Sequence, residues 1–284
     1  MNEAGDAQRL ATLGRMQTSP IVFIGGGNMA SALIGGLLRS GHAAQSVVVV
    51  EPLAEQRERL EKQFGVRCHA SADAAPDGAE LLVWAVKPQV FADAAAACAG
   101  RVAGALHLSV MAGVRCGTIA RATGASRIVR SMPNTPALIG KGIAGLYATP
   151  EVTAAQRAQV EALLAPTGQT LWVAQEADLD AVTALSGSGP AYVFYVIEAM
   201  LQAAQDMGLD AAQGRALALA TVAGATELAR QSDEPVATLR ERVTSKGGTT
   251  HAALSSLQAD GMHAAFVKAI RAAQQRAKEL GEPD

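Results

Sequence analysis

The chain has 284 residues, 49% of them hydrophobic and 18% charged, with a formal net charge of −2. That supplies ample material for a core and no basic excess for nucleic acid, and no apolar run reaches the ~18–20 residues that span a bilayer. Aromatics make up only 4%, so an alanine-rich interior of closely packed helices is expected. The three cysteines, Cys68, Cys98 and Cys116, are scattered without a CxxC pair, which fits free thiols in a reducing cytoplasm rather than a disulfide or metal framework. Residues 1–19 are polar and lack an apolar signal core. They are expected to be a disordered tail or an over-long start, with Met16 as an alternative start.

In chain order, Ile21–Ile24 predicts a strand, followed by a glycine loop and a helix to about Arg39. Ser46–Glu51 is a β-branched run leading into a charged helix, Leu53–Phe64. Leu81–Val86, Ala105–Val110, Arg127–Met132, Gly142–Tyr147 and Gln169–Val173 continue the strand series. Strands apolar on both faces and separated by helices predict a mostly parallel, doubly wound sheet. After Trp172 the strand signal stops. Asp178–Leu185, Ala191–Met207, Ala211–Gln231, Pro235–Arg242, His251–Gln258 and Met262–Leu280 all read as helices, with Gly208, Gly261 and Gly281 placed as terminating glycines. The expected organisation is an α/β Rossmann domain over 20–175 and an all-α domain over 176–284. Ala191–Met207 is apolar almost all round, and Ala211–Ala229 nearly so. Such helices need covering on every side, which predicts that a second copy covers them in a homodimer.

The loop Gly25-Gly26-Gly27-Asn28-Met29-Ala30, after Ile24 and before a helix, fits a dinucleotide pyrophosphate. Gly25 allows the tight turn, Gly27 lets the backbone approach the phosphates, and Ala30 still permits close helix–strand packing. Glu51 lies 21 residues beyond Ala30, where an acid binds the adenosine ribose hydroxyls of NAD and repels a 2′-phosphate. That reading favours NADH and predicts that Glu51→Ser shifts preference toward NADPH; a solvated strand-end carboxylate is the alternative. Two further strand ends belong to the same edge. One carries Ala85-Val86-Lys87-Pro88, the other Met111-Ala112-Gly113. Lys87 is open between a proton donor, a phosphate or ribose contact and a solvated end.

In the helical half, Ser245-Lys246-Gly247-Gly248-Thr249-Thr250-His251 precedes a helix and offers free N–H groups to a carboxylate. The hydroxyls of Thr249 and Thr250 could cap the helix or bond a substrate. Ser186-Gly187-Ser188-Gly189-Pro190 opens another helix, with Pro190 in its first turn. His251 and His263 read as surface residues, and no metal cluster, catalytic triad or nucleophilic cysteine emerges. Hydride transfer to a substrate that is already cationic, such as an iminium, needs positioning more than a strong acid.

Taken together, Gly25–Ala30, Ala85–Pro88, Met132-Pro133-Asn134-Thr135-Pro136, Leu185–Tyr192 and Thr244–Thr250 resemble, in that order, the pyrroline-5-carboxylate reductase family from about Ile21 to Leu280. The resemblance implies hydride transfer from NADPH to the C=N bond of 1-pyrroline-5-carboxylate, giving L-proline. It implies a substrate carboxylate on Gly247, Gly248, Thr249 and Thr250 with Ser188 nearby, and Thr250 as a catalytic hydroxyl, solvent being the other candidate proton donor. It also implies a dimer, commonly assembled into a pentamer of dimers. The sequence departs from the family pattern at Lys246, commonly proline; at Arg242, usually asparagine; and at Glu51, often a small or hydroxyl residue. Other readings are a relative acting on another cyclic imine or a 3-hydroxyacid, or a non-catalytic dinucleotide-binding scaffold. The hydroxyacid branch would carry a lysine in the helix Ala191–Met207, which has none.

Overall fold

A computed structural model describes residues 20–74 and 78–281. The expected tail, 1–19, lies outside the described residues. The chain forms strands β1 (Ile21–Ile24), β2 (Val47–Val50), β3 (Arg67–His69), β4 (Leu81–Trp84), β5 (Leu106–Ser109), β6 (Ile128–Met132), β7 (Gly142–Ala148) and β8 (Gly168–Trp172). The helices are α1 (Asn28–Arg39), α2 (Ala54–Phe64), α3 (Phe91–Ala97), α4 (Cys116–Thr123), α5 (Ala154–Leu164), α6 (Asp178–Val182), α7 (Gly189–Asp206), α8 (Ala211–Gln231), α9 (Val236–Arg242), α10 (Thr249–Ala259) and α11 (Met262–Gly281).

The described residues divide into two compact units. One holds the residues up to Ser188 together with those from Ala273; the other is Gly189–Ala272. Thus residues 176–188 and the last turns of α11 belong by contact to the sheet unit, although sequence pattern assigns them to the helical half. The C-terminal end of α11 packs on the loop after β5: a Cβ on Gly113, whose φ is +76°, would lie 2.8 Å from the Leu280 carbonyl oxygen.

In the first unit the strand order is β3-β2-β1-β4-β5-β6-β7-β8. β3 to β6 are parallel, β7 runs antiparallel to β6, and β8 is parallel to β7. This is the doubly wound dinucleotide-binding order with two added edge strands. Alternation along each strand feeds two cores. Ile21, Phe23, Val47, Val49, Leu81 and Val83 pack with Leu33 and Leu37 of α1 on one face. Val22, Ile24, Val48, Leu82 and Trp84 pack with Phe91 and Ile119 on the other. Burying each such side chain contributes about 1.5–3 kcal/mol, which is why the central strands read as continuous apolar runs.

The short edge strand β3 (Arg-Cys-His) lacks that signal. It pairs with β2 because Gly65, at φ +66°, ends α2 and turns the chain back. The antiparallel turn into β7 is likewise a tertiary outcome. Gly142 lies where a Cβ would meet the Ala137 amide at 2.8 Å, and Gly145 where one would meet Val182 at 2.7 Å.

Residues 176–188 are tied to the sheet by polar contacts. Arg115 donates to Asp180 at 2.7 Å, Arg130 donates to Glu176 at 2.9 Å, and the Cys116 amide donates to the same Glu176 oxygen at 2.7 Å. After α6, Thr183–Gly187 winds as a π-turn, closed by the Ser188 amide on the Thr183 carbonyl at 2.8 Å.

In the second unit, α7 and α8 are joined through Gly208 at φ +87°. They approach closely where small residues meet: a Cβ on Gly214 would lie 2.9 Å from that of Ala204. α8 begins with a reciprocal capping box, Asp210 with Gln213. Tyr192 meets Phe266 edge-on, with ring centroids 6.1 Å apart. Gly261 has the left-handed conformation expected of a terminating glycine, whereas Gly281 is the last residue of α11 and has no positive φ.

Candidate functional site

The carboxyl ends of β1, β2, β4 and β5 lie on one edge of the first unit, and there the sheet order reverses between β1 and β4. The glycine loop fills that point. The Gly25 amide donates to the Val50 carbonyl at 2.8 Å, and the Ala85 amide to the Ile24 carbonyl at 2.8 Å. Gly25 has φ +98°, and a Cβ there would lie 2.6 Å from the Ala85 carbonyl oxygen, so the turn admits no side chain. Gly26 is closed by a different contact, Leu60 of α2, 2.6 Å from a would-be Cβ. Around Gly27 there is no protein atom within 4 Å of that position; its missing side chain opens the loop outward.

Gly27 is also the N-cap of α1, and no side chain caps this helix. The first intrahelical bond is Ser31 N–H to Gly27 O, at 2.9 Å. The amides of Asn28, Met29 and Ala30 precede it and are directed out of the helix start, an arrangement that attracts phosphate. Open space at Gly27 and uncapped amides beside it fit a dinucleotide pyrophosphate. Ala30 is fully buried against the core.

Glu51 is only 8% exposed, so the solvated strand-end alternative is not what the structure contains. One carboxylate oxygen accepts the Gly26 amide at 2.9 Å and the other accepts the Leu53 amide at 3.0 Å. Gln56 donates its side-chain amide to the Gly26 carbonyl. The turn after β2 therefore braces the glycine loop from below. Sequence reading placed Glu51 at the ribose but missed this second engagement, along with Gln56 and Leu60. Their only signal was proximity to the second strand.

The other two strand ends carry less. Ala85 and Val86 are half-buried, while Lys87 and Pro88 are exposed and start a short 3₁₀ turn, the Val90 amide donating to the Lys87 carbonyl at 3.1 Å. Met111 is buried and Ala112 exposed. Below them His107 is fully buried: Trp84 Nε1 donates to its Nδ1 at 3.0 Å, and its Nε2 lies 2.8 Å from the Val102 carbonyl. Burial lowers the His107 pKa, against the opposing Val102 hydrogen bond, so the ring is a neutral structural strut. Burial and nearby Glu176 push the Cys116 thiol up to about 12, which leaves it no thiolate at neutral pH.

Within the same unit Asn134 joins two of the family-like segments. Its Nδ2 lies 3.3 Å from both the carbonyl and the hydroxyl of Ser186, and its Oδ1 accepts the Ile143 amide at 3.0 Å. Gly187 sits against Met132, 2.5 Å from a would-be Cβ. Met132–Asn134 and Ser186–Ser188 are thus neighbours, although fifty residues separate them in sequence.

The glycine-threonine loop lies in the second unit. Gly247 has φ +75°, the Gly248 amide donates to the Ser245 carbonyl at 3.0 Å, and a Cβ on Gly248 would lie 2.6 Å from the Ser245 hydroxyl. Gly248 is the N-cap of α10 and no side chain caps it; neither threonine hydroxyl is used in that way. The first intrahelical bond is Ala252 N–H to Gly248 O, at 3.1 Å, so the amides of Thr249, Thr250 and His251 precede it. Thr249 is exposed and Thr250 half-buried. Arg242 is paired with Glu234 at 2.5 Å. Among the described residues, no group of three His, Cys, Asp or Glu side chains is placed to hold a metal.

A doubly wound sheet with a glycine loop at its switch point, followed by an all-helical segment, defines an NAD(P)-dependent oxidoreductase with a helical second domain. Residues 20–113 match the family described as NADP oxidoreductase, coenzyme F420-dependent, and residues 176–280 match pyrroline-5-carboxylate reductase dimerisation. The pyrroline-5-carboxylate reductase of Pseudomonas aeruginosa is 43% identical over 94% of this chain and 98% of its own, and that of Pasteurella multocida 40% over 93% and 98%. The solved pyrroline-5-carboxylate reductase of Coxiella burnetii superposes with a TM-score of 0.85 at 34% identity, covering 94% of this chain and 100% of the other. The Plasmodium falciparum enzyme, solved with NADP bound, gives 0.85 at 27% identity over 94% and 99%. The chain belongs to the pyrroline-5-carboxylate reductase family.

Proposed function

We propose that this chain transfers a hydride from NADPH or NADH to the C=N carbon of 1-pyrroline-5-carboxylate, giving L-proline. The observation that carries the proposal is the presence, in one member of this family, of two glycine-capped helix starts with no side-chain cap, at Gly27 and at Gly248. One suits a pyrophosphate and the other a carboxylate, the two anionic ends of the proposed reactants.

The residues assigned to the cofactor are Ile24–Met29, Glu51, Ala85–Pro88 and Met111–Gly113. Those assigned to substrate are Gly247, Gly248, Thr249, Thr250 and Ser188. When bound, the nicotinamide supplies the hydride. Gly247–Thr250 hold the carboxylate, and Thr250 is assigned the hydroxyl nearest the reacting nitrogen. The ring nitrogen enters protonated, so hydride addition to carbon gives the amine directly and the site needs no strong acid. NADPH is supported by the family and by the NADP of the Plasmodium falciparum relative; the position of Glu51 at the end of β2 favours NADH, although both of its oxygens are engaged by backbone amides.

The proposed assembly is a homodimer through the C-terminal helices, with a pentamer of dimers as the larger form. The dimerisation match at 176–280 and the exposed Phe194 and Tyr195 support it. No described helix is long and apolar enough to cross a membrane. A cytoplasmic setting is proposed, supported by the free thiols of Cys68, Cys98 and Cys116.

The test is direct. Purified protein mixed with 1-pyrroline-5-carboxylate is expected to consume NADPH or NADH, read as loss of reduced-nicotinamide absorbance, with L-proline formed in equal amount. No oxidation of either cofactor overturns the proposal.

A further inference from the structure

At the ribose end of β2 the obvious acid is already occupied. Glu51 is buried and both of its carboxylate oxygens accept backbone amides, those of Gly26 and Leu53. Charge-assisted bonds of this kind are strong and directional, so the carboxylate is held against the glycine loop. Both oxygens are thereby turned to backbone amides rather than left free for a ribose hydroxyl.

Beside it stands a cation with the opposite arrangement. Arg57, in the first turn of α2, is half-buried. Its Nη1 donates to the Glu51 carbonyl at 2.8 Å and to the Pro52 carbonyl at 2.7 Å. These bonds pin the guanidinium at the turn after β2 without neutralising it. Among the described residues Arg57 makes no ion pair, and its Nη2 and Nε have no partner. The nearby Cys68 thiol is raised to about 11 and is uncharged at neutral pH. A pre-positioned planar fork with free donors is suited to a phosphate, and in doubly wound folds an arginine near this strand end accommodates the 2′-phosphate of NADP.

We propose that Arg57 selects the 2′-phosphate of NADPH, and that Glu51 serves as the brace of the glycine loop rather than as the residue that excludes NADPH. The inference rests on the dinucleotide-binding reading above. It replaces the expectation that Glu51→Ser shifts preference toward NADPH: that variant should weaken both cofactors in parallel.

Equilibrium titration of the purified full-length chain tests it, with NADPH, NADH, 2′,5′-ADP and 5′-AMP as ligands. Arg57→Gln is expected to weaken NADPH and 2′,5′-ADP by about tenfold, the range for losing a hydrogen bond to a charged group. It should leave NADH and 5′-AMP far less affected. Arg57→Lys should recover part of the loss, and added salt should erode the wild-type NADPH preference. Equal weakening of NADPH and NADH by Arg57→Gln, or no change in either, overturns the proposal. So does a selective gain of NADPH binding in Glu51→Ser. If the wild type binds none of the four ligands, the dinucleotide reading itself falls, an outcome distinct from retained binding that ignores Arg57.

Discussion

The two units place their apolar residues in opposite ways. In the sheet unit Phe23, Leu33, Trp84 and Ile128 are fully enclosed, and each strand face has a partner layer. In Gly189–Ala272 the buried positions are small, Ala204, Gly214 and Ala218, while Phe194 is 59% exposed and Tyr195 75%. Such side chains left in water on a sequence this apolar mark a surface that another molecule covers. One unit completes its core within the chain; the other leaves large apolar side chains uncovered, so that under the proposed dimer it is half of a core, in accord with the dimerisation family it matches.

The largest expected effect breaks that difference. Replacing Phe194 and Tyr195 together by Glu should weaken self-association by at least about 100-fold, since buried aromatics dominate interface energies. The sheet unit should keep its thermal transition. Sedimentation of wild type and variant decides it, and a wild type that is monomeric at micromolar concentration ends the half-core reading.

Next comes the polar seam that ties 176–188 to the sheet unit. Glu176→Ala leaves buried Arg130 without its counter-ion and the Cys116 amide without its acceptor. A cost of about 2–3 kcal/mol is expected, discounted from a fully buried pair because Glu176 is partly exposed. Urea denaturation reads it; a change below about 0.5 kcal/mol, as at an ordinary surface site, removes the seam from the account of stability.

Thr250→Ala probes the loop of the incomplete unit. Substrate affinity should fall by roughly 1–3 kcal/mol, the range for an unpaired polar group, with cofactor affinity unchanged. An unaltered apparent substrate affinity removes Thr250 from the substrate contacts.

The smallest effect concerns pH. Burial holds His107 and His42 below the ordinary histidine pKa of 6.5. The unfolded chain therefore takes up protons before the folded one, and stability present above that pH is lost as pH falls through the window below it. His107→Gln should flatten this slope, measured as denaturation midpoints from pH 8 down to 5; an identical slope assigns the dependence elsewhere.

Much of this was legible in the sequence because it is local. A β-branched run with both faces apolar is a central strand whatever surrounds it. Gly25 stands between a strand and a helix, and a φ of +98° is what only glycine readily supplies there. The succession of strands along the chain, the glycine loop and the glycine start of α10 all follow from neighbours within a few residues. The absence of a polar face on α7 likewise announced a missing partner.

Contacts between distant segments were decided only by the tertiary structure. Glu51 was visible as an acid near a ribose, but its hold on the Gly26 amide depends on how β1 and β2 register in the sheet. The edge strand β3 exists because Gly65 returns the chain to a waiting ladder, not because Arg-Cys-His favours extension. Asn134 meets Ser186, and Leu280 meets Gly113, only once β7 and α11 have folded back. Spacing along a chain records which residues share a face of one element; which faces then meet is settled by the burial and hydrogen bonding of the whole.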